Sequence, residues 1–396
     1  MTAPKRLRVA LFSGNYNYLR EGANQALNTL VGWLERKGHA VRVYSPVTAT
    51  PAFEPSGTLI PVPSVTLPFR TEFQLGLGIP ASIRRDLDHF TPDIVHVSTP
   101  DLLDLRAQAF AKARGIPIVA SMHTRFEAYL AYYGLGWLRP LVEAHLHRFY
   151  RRADWVLAPT PALVDDVKRF RGDDRVSLFS RGVDHALFNP SRCDPGWRRA
   201  RGWADDDIVL MFFGRPVVEK GLEVFIAAAQ QLQRECRNFR ALVVGAGPHA
   251  DRLRVLDDVV LTGHLTGPDL ARAVASADIM LHPSITETFG NVILEAMACG
   301  VSIVAADAPN ARALIEPGRT GILVPAADAA AYAAAAGCLI DFPDERRIGQ
   351  AALCAAQAYT WDGVCAEVET AYLEMLARYP RRTAGSIRSS TRSFST

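Results

Sequence analysis

Long hydrophobic runs are missing from this 396-residue sequence, although 49% of its residues are hydrophobic. No apolar stretch approaches the roughly 20 residues that a membrane-spanning helix requires. Charged residues make up 21%, and this balance of apolar and charged residues excludes a disordered chain. A domain typically takes about 100–200 residues, so the length favours two units with complete cores. The sequence predicts a folded protein that is soluble or peripheral to a membrane.

Cysteine and excess charge are also scarce. The six cysteines are scattered without close pairs, which argues against a disulfide framework or a zinc site and predicts buried thiols. The net charge is only +3 and no basic stripe is interleaved with aromatic residues, so we expect no nucleic-acid partner. The first residues lead directly into the strand pattern Val9–Phe12 without the features of a signal peptide, which predicts a cytoplasmic location.

Short β-branched runs alternate with amphipathic stretches in both halves of the chain. In the first half, runs at 8–12, 40–44, 94–97 and 118–120 alternate with helical patterns at 23–36, 81–90 and 105–114. The rhythm restarts with runs at 208–213, 241–244, 259–261, 279–281 and 302–305 and helical patterns at 222–235, 269–275 and 291–299. Such alternation predicts parallel sheets covered by helices on both faces. The fold class is α/β, with two doubly wound, Rossmann-like domains.

The turn-rich segment Arg181–Pro190 separates the two patterns. We predict an N-terminal domain at 1–185 and a C-terminal domain at 186–361. A final helix at about 362–378 is expected to pack back on the N-terminal domain, and 381–396, rich in Arg, Ser and Thr, to be a disordered tail. Ligand loops lie at the carboxyl ends of the strands in such domains, so two facing domains create one interdomain cleft.

The strongest site pattern is the strand, polar loop and helix around residues 279–300. Free N–H groups at the helix start near Gly290 can bind a diphosphate with help from the helix dipole. Glu287 lies in the loop and Glu295 about one turn inside the helix, where carboxylates can accept hydrogen bonds from sugar and ribose hydroxyls. The alternative is a capping glutamate followed by a solvated one.

Two cations follow the strand that ends at Phe213. Arg215 and Lys220 lie in a loop that enters a helix, where a guanidinium fork and a compact ammonium can stabilise a departing nucleoside diphosphate. The alternative is a surface basic pair. The segment Asp205–Asp207 precedes a strand instead, so we expect solvated turn acids and no metal site.

The segment 137–152 predicts a packed amphipathic helix with Leu138, Leu141, Val142, His145 and Phe149 on one face. The alternative is that its basic and aromatic edge contacts an anionic membrane that holds a lipid acceptor.

The spacing of Glu287 and Glu295 within PSITETFGNVILEAMACGVSIVA resembles the hallmark motif of retaining GT-B glycosyltransferases of glycosyltransferase family 4. The likeness extends to FFGRPVVEKGLEVFI (212–226), LVVGAGP (242–248), VVLTGHL (259–265), SRGVDHALFNP (180–190) and the segment 6–46. It covers nearly the whole chain except the tail, with the motifs in the family's order.

The resemblance implies a role for each matching residue. Glu287 is expected to contact the donor sugar, Glu295 the ribose, and Arg215 and Lys220 the diphosphate, and His123 to lie near the donor sugar. His123, Arg215, Lys220 and Glu287 form the expected catalytic set. The expected donor-binding residues are Gly22, Gly214, Gly245, His264, Leu265, Thr288, Phe289, Gly290, Asn291 and Glu295, and those on the acceptor side are Asn15, Tyr16, Tyr18 and Asn24.

The implied reaction moves a hexose from a nucleoside-diphosphate sugar to a hydroxyl of a lipid or polysaccharide-precursor acceptor, with retention of configuration. GDP-mannose is the favoured donor, and a UDP-sugar that supplies a glucosyl or glucuronosyl group is the alternative. No cofactor or metal is expected, because cationic side chains can neutralise the diphosphate. A sugar-nucleotide epimerase and a non-catalytic nucleotide-binding module remain as other readings. A dehydrogenase is disfavoured, because Gly245–His249 follows a later strand than a dinucleotide fingerprint requires.

Overall fold

The computed structural model describes residues 6–19, 21–67, 70–125, 127, 130 and 134–379. The tail predicted at 381–396 lies outside these residues. The described chain contains two large parallel sheets and a small antiparallel one. No helix in this part of the chain is long and apolar enough to cross a membrane.

The first sheet is seven-stranded and parallel, in the order β3-β2-β1-β6-β7-β8-β9. A separate hairpin of β4 and β5 fills the excursion after β3. The strands are β1 (Arg8–Phe12), β2 (Ala40–Ser45), β3 (Thr58–Pro61), β4 (Ser64–Leu67), β5 (Arg70–Gly76), β6 (Ile94–Val97), β7 (Ile118–Ser121), β8 (Trp155–Ala158) and β9 (Val176–Leu178). The helices are α1 (Gly22–Arg36), α2 (Ala81–Phe90), α3 (Leu102–Arg114), α4 (Arg139–Arg152) and α5 (Pro161–Arg171).

The second sheet has six parallel strands in the order β12-β11-β10-β13-β14-β15. Its strands are β10 (Val209–Phe213), β11 (Arg240–Val244), β12 (Val260–Leu261), β13 (Ile279–His282), β14 (Ser302–Ala306) and β15 (Ile322–Val324). The helices are α6 (Pro195–Arg199), α7 (Leu222–Arg234), α8 (Gly267–Ala275), α9 (Asn291–Ala298), α10 (Pro309–Arg312), α11 (Ala329–Asp341), α12 (Arg347–Ala356) and α13 (Trp361–Arg378). Short 3-10 turns span Gly136–Leu138, Pro190–Arg192, Val218–Lys220, Ala250–Val255 and Pro343–Arg346.

Each large sheet is buried on both faces, as parallel sheets require. Every residue of the central strands β10, β13 and β14 is buried. Helix α13 follows the second domain in sequence but packs on the first, because Val368, Tyr372 and Met375 belong to the core of the first sheet. The chain therefore crosses between the domains twice, and the Val183 amide donates to the Tyr359 carbonyl at 3.0 Å where the two crossings meet. The predicted domain boundary at 185/186 lies between β9 and β10, and it stays a prediction.

Three sequence expectations about packing are wrong. Only Cys299 and Cys365 are buried, and the other four cysteines are exposed thiols. Asp207 is buried, because Arg240 Nε donates to its carboxylate at 2.8 Å. Leu141 is 69% exposed, although Val142 and Phe149 of the same predicted face of α4 pack on the core.

Candidate active site

The candidate site lies where the second sheet changes its direction of winding. Strand β10 pairs with β11 on one side and with β13 on the other, so the loops after β10 and β13 leave the same edge of the sheet as neighbours. Such a switch point is where open α/β sheets bind their ligands. Arg215 and Lys220 follow β10, and Glu287 follows β13. The topology thus brings together two loops that are about 70 residues apart in sequence.

Lys220 and Glu287 form a direct ion pair. The Lys220 Nζ donates to Glu287 Oε1 at 2.7 Å, and the Thr286 hydroxyl donates to the Glu219 carbonyl at 3.2 Å beside it. Both charged side chains are largely shielded from solvent. Arg215 is exposed on the same loop and has no ion-pair partner among the described residues. The free site therefore holds one paired cation and one that is available to a ligand.

The two glutamates have opposite electrostatic environments. Burial favours the neutral acid at Glu287, but Lys220 and His282 outweigh it and hold the pKa of Glu287 below its ordinary value. Burial, together with the Glu287 charge, raises the pKa of Glu295 to about 8. At neutral pH Glu287 is a carboxylate, whereas Glu295 retains its proton in the free protein. The second carboxyl is therefore poised to ionise when a ligand supplies hydroxyl donors.

Two helix N-termini meet across the cleft. Helix α9 starts after Gly290, whose φ of 94° suits a residue without a side chain, and neither Gly290 nor Glu21 before α1 caps its helix through a side chain. An ideal Cβ on Gly22, the first residue of α1, would lie 2.3 Å from the Asn291 side-chain nitrogen. Amides without a side-chain cap and two positive dipole ends can together hold an anion between the domains.

The remaining residues that were expected to bind the donor differ in their exposure and packing. Gly245 touches Gly214, since an ideal Cβ on Gly245 would lie 2.1 Å from the Gly214 carbonyl oxygen, so this glycine is explained by loop packing. His264 is exposed, and the half-buried Leu265 packs on the core of the second sheet. The Phe289 side chain is also buried in that core, which leaves only its backbone for a ligand.

His123 is the centre of a buried hydrogen-bond chain. Arg181 Nη2 donates to His123 Nδ1 at 2.9 Å, so the neutral ring carries its proton on Nε2 and donates to Ser121 Oγ at 2.8 Å. Ser121 donates to His96 Nε2 at 2.8 Å, and His96 Nδ1 donates to the Tyr372 hydroxyl at 2.6 Å. We call these five residues the histidine chain. It connects the edge of the cleft to the C-terminal helix α13.

Both histidines of this chain are neutral. Burial lowers the pKa of His96 to about 3, and burial, Arg181 and His96 together lower the pKa of His123 far below its ordinary value. The His123 ring therefore has no free nitrogen for a sugar hydroxyl. Its carbonyl oxygen instead accepts a hydrogen bond from Thr288 Oγ1 at 2.7 Å, across the domain interface. The catalytic role of His123 stays a prediction. The contact that the structure gives it on the cleft side is with Thr288, in the loop between β13 and α9.

Removing the central hydroxyl of the histidine chain should destabilise the fold. Ser121→Ala leaves one buried ring N–H and one buried ring nitrogen without partners, which should lower the free energy of unfolding by about 1–3 kcal/mol. Urea titration measures this loss. Ser302→Ala is the matched control, because the hydroxyl of that buried serine makes one hydrogen bond among the described residues, to the Arg346 carbonyl. An equal loss in both variants would show that the hydroxyl in the histidine chain contributes no more to the free energy of unfolding than that of an ordinary buried serine.

The acceptor-side residues are mostly committed to the loop itself. Tyr16 is fully buried and donates to Asn28, so it does not line the cleft surface. Tyr18 is buried and donates to the Gly14 carbonyl at 2.9 Å. Asn24 donates to the Leu19 carbonyl at 3.0 Å, and half-buried Asn15 lies near Glu21. Tyr16, Tyr18 and Asn24 therefore hold the shape of the loop, and Asn15 has the most exposed position of the four.

Sequence reasoning missed Ser121, His96, Arg181 and His282. Each lies at or just after a strand end in an apolar or turn-rich run, and no motif spacing connects residues whose contacts depend on the strand order.

Two facing Rossmann-like domains with a cleft between them are the architecture of the GT-B class of glycosyltransferases. Residues 20–187 match the family model Glycosyltransferase Family 4, and residues 207–341 match the model Glycosyl transferases group 1. The chain belongs to glycosyltransferase family 4 and is a hexosyltransferase that uses a nucleotide-sugar donor. The family and fold predicted from the motifs are thereby confirmed.

Three similar proteins span most of the chain. The GDP-mannose-dependent alpha-mannosyltransferase of Mycolicibacterium smegmatis is 34% identical over 389 residues, which cover 96% of this chain and 100% of that protein. The sulfoquinovosyl transferase of Arabidopsis thaliana is 28% identical over 371 residues, 91% of this chain and 72% of that protein. The structure of sucrose-phosphate synthase from Thermosynechococcus elongatus superposes with a TM-score of 0.76 at 20% identity, covering 94% and 100% of the two chains.

Proposed function

We propose that this protein transfers a mannosyl residue from GDP-mannose to a hydroxyl group of a lipid or polysaccharide precursor, with retention of configuration. The Lys220–Glu287 pair beside two uncapped helix starts is the observation that carries the donor site. The similarity to a GDP-mannose-dependent alpha-mannosyltransferase along its whole length supports the choice of donor. A UDP-sugar is the alternative donor.

The proposed mechanism needs a stabilised leaving group. The diphosphate lies at the start of α9, where Arg215, Lys220 and the helix amides neutralise the charge that develops on it. Glu287 holds hydroxyls of the transferred sugar, and Glu295 holds the ribose. The acceptor approaches the face that the diphosphate leaves, and an oxygen of the leaving phosphate takes the acceptor proton. Such a site has no need of a metal ion or a dedicated carboxylate base.

A donor and acceptor panel tests this function. Purified protein is incubated with GDP-mannose, UDP-glucose and UDP-glucuronic acid, with and without a bacterial lipid extract and with EDTA throughout. We expect GDP release that depends on the lipid extract, together with a mannosylated lipid of retained configuration. Release without acceptor, a UDP-sugar preference, or activity only when a divalent metal is restored would each contradict one part of the proposal.

We further propose that helix α4 brings the lipid acceptor to the cleft. Trp137 is 75% exposed and Leu141 69% exposed, and the exposed Arg148 and Arg152 continue the same helical stripe at spacings of four to seven residues. Apolar side chains flanked by cations fit the interface of an anionic membrane. We call these four residues the α4 stripe.

Helix α4 and the acceptor-side loop contact the same segment, at Pro100 and Asp101. The ring nitrogen Nε2 of His145 hydrogen-bonds the Pro100 carbonyl at 2.9 Å, and an ideal Cβ on Gly14 would lie 2.3 Å from the Asp101 carboxylate. A lipid headgroup at the stripe therefore has a short path into the cleft. This adjacency supports a lipid acceptor over a soluble glycan.

Vesicle flotation tests the α4 stripe. Neutralising Arg148 and Arg152 to Gln should weaken partition onto vesicles of phosphatidylglycerol and phosphatidylcholine by roughly 30-fold, since each basic residue near such a surface contributes about 1 kcal/mol. Trp137→Ser with Leu141→Ser should abolish partition at high salt as well. Phe342→Ser, at a 59% exposed position in the C-terminal domain, is the control and should bind as wild type. Equal binding by all variants would remove the membrane from the proposal.

A further inference from the structure

Among the described residues, His282 carries a buried ring nitrogen beside the ion pair that has no hydrogen-bond partner. It is the last residue of β13 and is 3% exposed. Its Nε2 lies 3.8 Å from Glu287 Oε1, the same oxygen that Lys220 holds at 2.7 Å. A buried polar atom without a partner requires an explanation, because such groups are ordinarily satisfied. The Glu287 carboxylate, at 3.8 Å, is an acceptor that a small movement would bring within hydrogen-bond distance.

Binding of the sugar-nucleotide donor changes which groups can neutralise the Glu287 carboxylate. In the free protein Lys220 supplies the only direct cation at Glu287 among the described residues. A diphosphate at the start of α9 competes for the same ammonium, and a carboxylate that loses its partner inside the protein is strongly destabilised. A second hydrogen-bond donor to Oε1 would keep Glu287 ionised. It would also hold the other carboxylate oxygen, which faces Gly290, towards the sugar.

We propose that His282 is a positioning residue for Glu287: its Nε2–H takes over Oε1 when the donor diphosphate draws Lys220 away. The charged and titratable groups that face this pair are Lys220 and, behind Glu287, Glu295. Burial keeps the pKa of His282 below its ordinary value, so the ring acts as a neutral donor. The inference rests on the proposed function of Lys220 as a phosphate ligand.

Two substitutions of His282 and one control substitution test this role. His282→Leu removes the donor, whereas His282→Gln keeps an N–H group on a side chain of similar reach. Tyr332→Phe is the structural control, because its hydroxyl donates to the backbone carbonyl of His282, at 3.3 Å, and so tests the surroundings of His282 without altering its ring. Thermal unfolding of all three reports their folding.

We expect His282→Leu to lower kcat by at least about tenfold, as removal of a hydrogen bond to a charged group does, while KM for the donor changes less than threefold. His282→Gln should restore most of this loss, and Tyr332→Phe should keep wild-type kcat. The acid limb of kcat should move to higher pH in His282→Leu, because a carboxylate that loses a hydrogen-bond donor has a higher pKa. A purely structural residue would not move this limb.

A second measurement does not depend on the leucine variant. In protein labelled with 15N-histidine, GDP-mannose should shift the Nε2 resonance of His282 towards a stronger hydrogen bond. Unchanged kcat and pH profile in His282→Leu, or an unshifted resonance in a donor complex that turns over, would overturn the inference. If the wild-type protein neither binds nor turns over a sugar nucleotide, the proposed function itself fails instead.

Discussion

Replacing Lys220 with alanine should lower kcat/KM by about 10²–10³-fold, the loss that follows removal of one group that stabilises developing charge. The ammonium at 2.7 Å from Glu287 is half-buried in the cleft loops, and its removal also strands that carboxylate. Steady-state kinetics with GDP-mannose and acceptor measures the effect. Lys112→Ala, at an exposed position on α3, is the control and should keep wild-type rates.

A double-mutant cycle separates the two roles of this lysine. Glu287→Gln should cause a loss of similar size. The double variant should lose less activity than the product of the two single losses, because Glu287→Gln removes the charge that Lys220→Ala leaves without its partner. Losses that simply multiply would show that Lys220 and Glu287 act independently. Wild-type activity in either single variant would contradict the donor site.

Nucleotide affinity should rise with pH up to about 8 and then become constant, because burial and Glu287 raise the pKa of Glu295 to about 8. The ribose hydroxyls prefer an ionised carboxylate, so binding below this pH must release a proton. We expect affinity for GDP to increase up to tenfold per pH unit on the acid side. Calorimetry in two buffers with different ionisation enthalpies counts the released proton. Glu295→Gln should remove this component of the pH dependence and leave only the titration of the nucleotide.

The same raised pKa predicts a stability difference whose sign can be checked. The folded protein holds the Glu295 proton more tightly than the unfolded chain, whose glutamate has the ordinary pKa of 4.5. The stability that this proton contributes is present below about pH 4.5 and is lost as pH rises towards about 8. Glu295→Gln should therefore have a higher Tm than wild type at pH 8.5 and nearly the same Tm at pH 5. A variant that is less stable at pH 8.5 would contradict the burial of this carboxyl.

Much of the scaffold follows from local patterns, because parallel strands buried on both faces leave continuous β-branched runs. The sequence predicts helices at 81–90 and 222–235, and the structure has them at Ala81–Phe90 and Leu222–Arg234. Strands β8 and β9 were not predicted. Strand β8 starts at Trp155, three residues after the end of α4, so its apolar run continues that of the helix, and β9 has three residues of which only Val176 is buried.

Residue spacing alone predicts only the local part of the candidate site, and the family resemblance supplied the link to Lys220 and Arg215 on a distant loop. Glu287, Gly290 and Glu295 lie on one loop and helix, so their spacing carries the information. The histidine chain joins β6, β7, the segment after β9 and α13, and these contacts follow from strand order and from the return of α13 to the first domain. The exposure of Leu141 on α4 was misjudged for a related reason, since helical periodicity identifies an apolar stripe but not how far a neighbour covers it.

A crystal structure of the protein with GDP-mannose tests the central claim most directly. We expect the diphosphate at the start of α9, within hydrogen-bond distance of Arg215 and Lys220, with the ribose on Glu295 and the mannose on Glu287. The Lys220–Glu287 distance should increase from the 2.7 Å of the free protein. A nucleotide bound elsewhere, or one bound in the cleft with this ion pair intact and Glu295 unoccupied, would contradict the account.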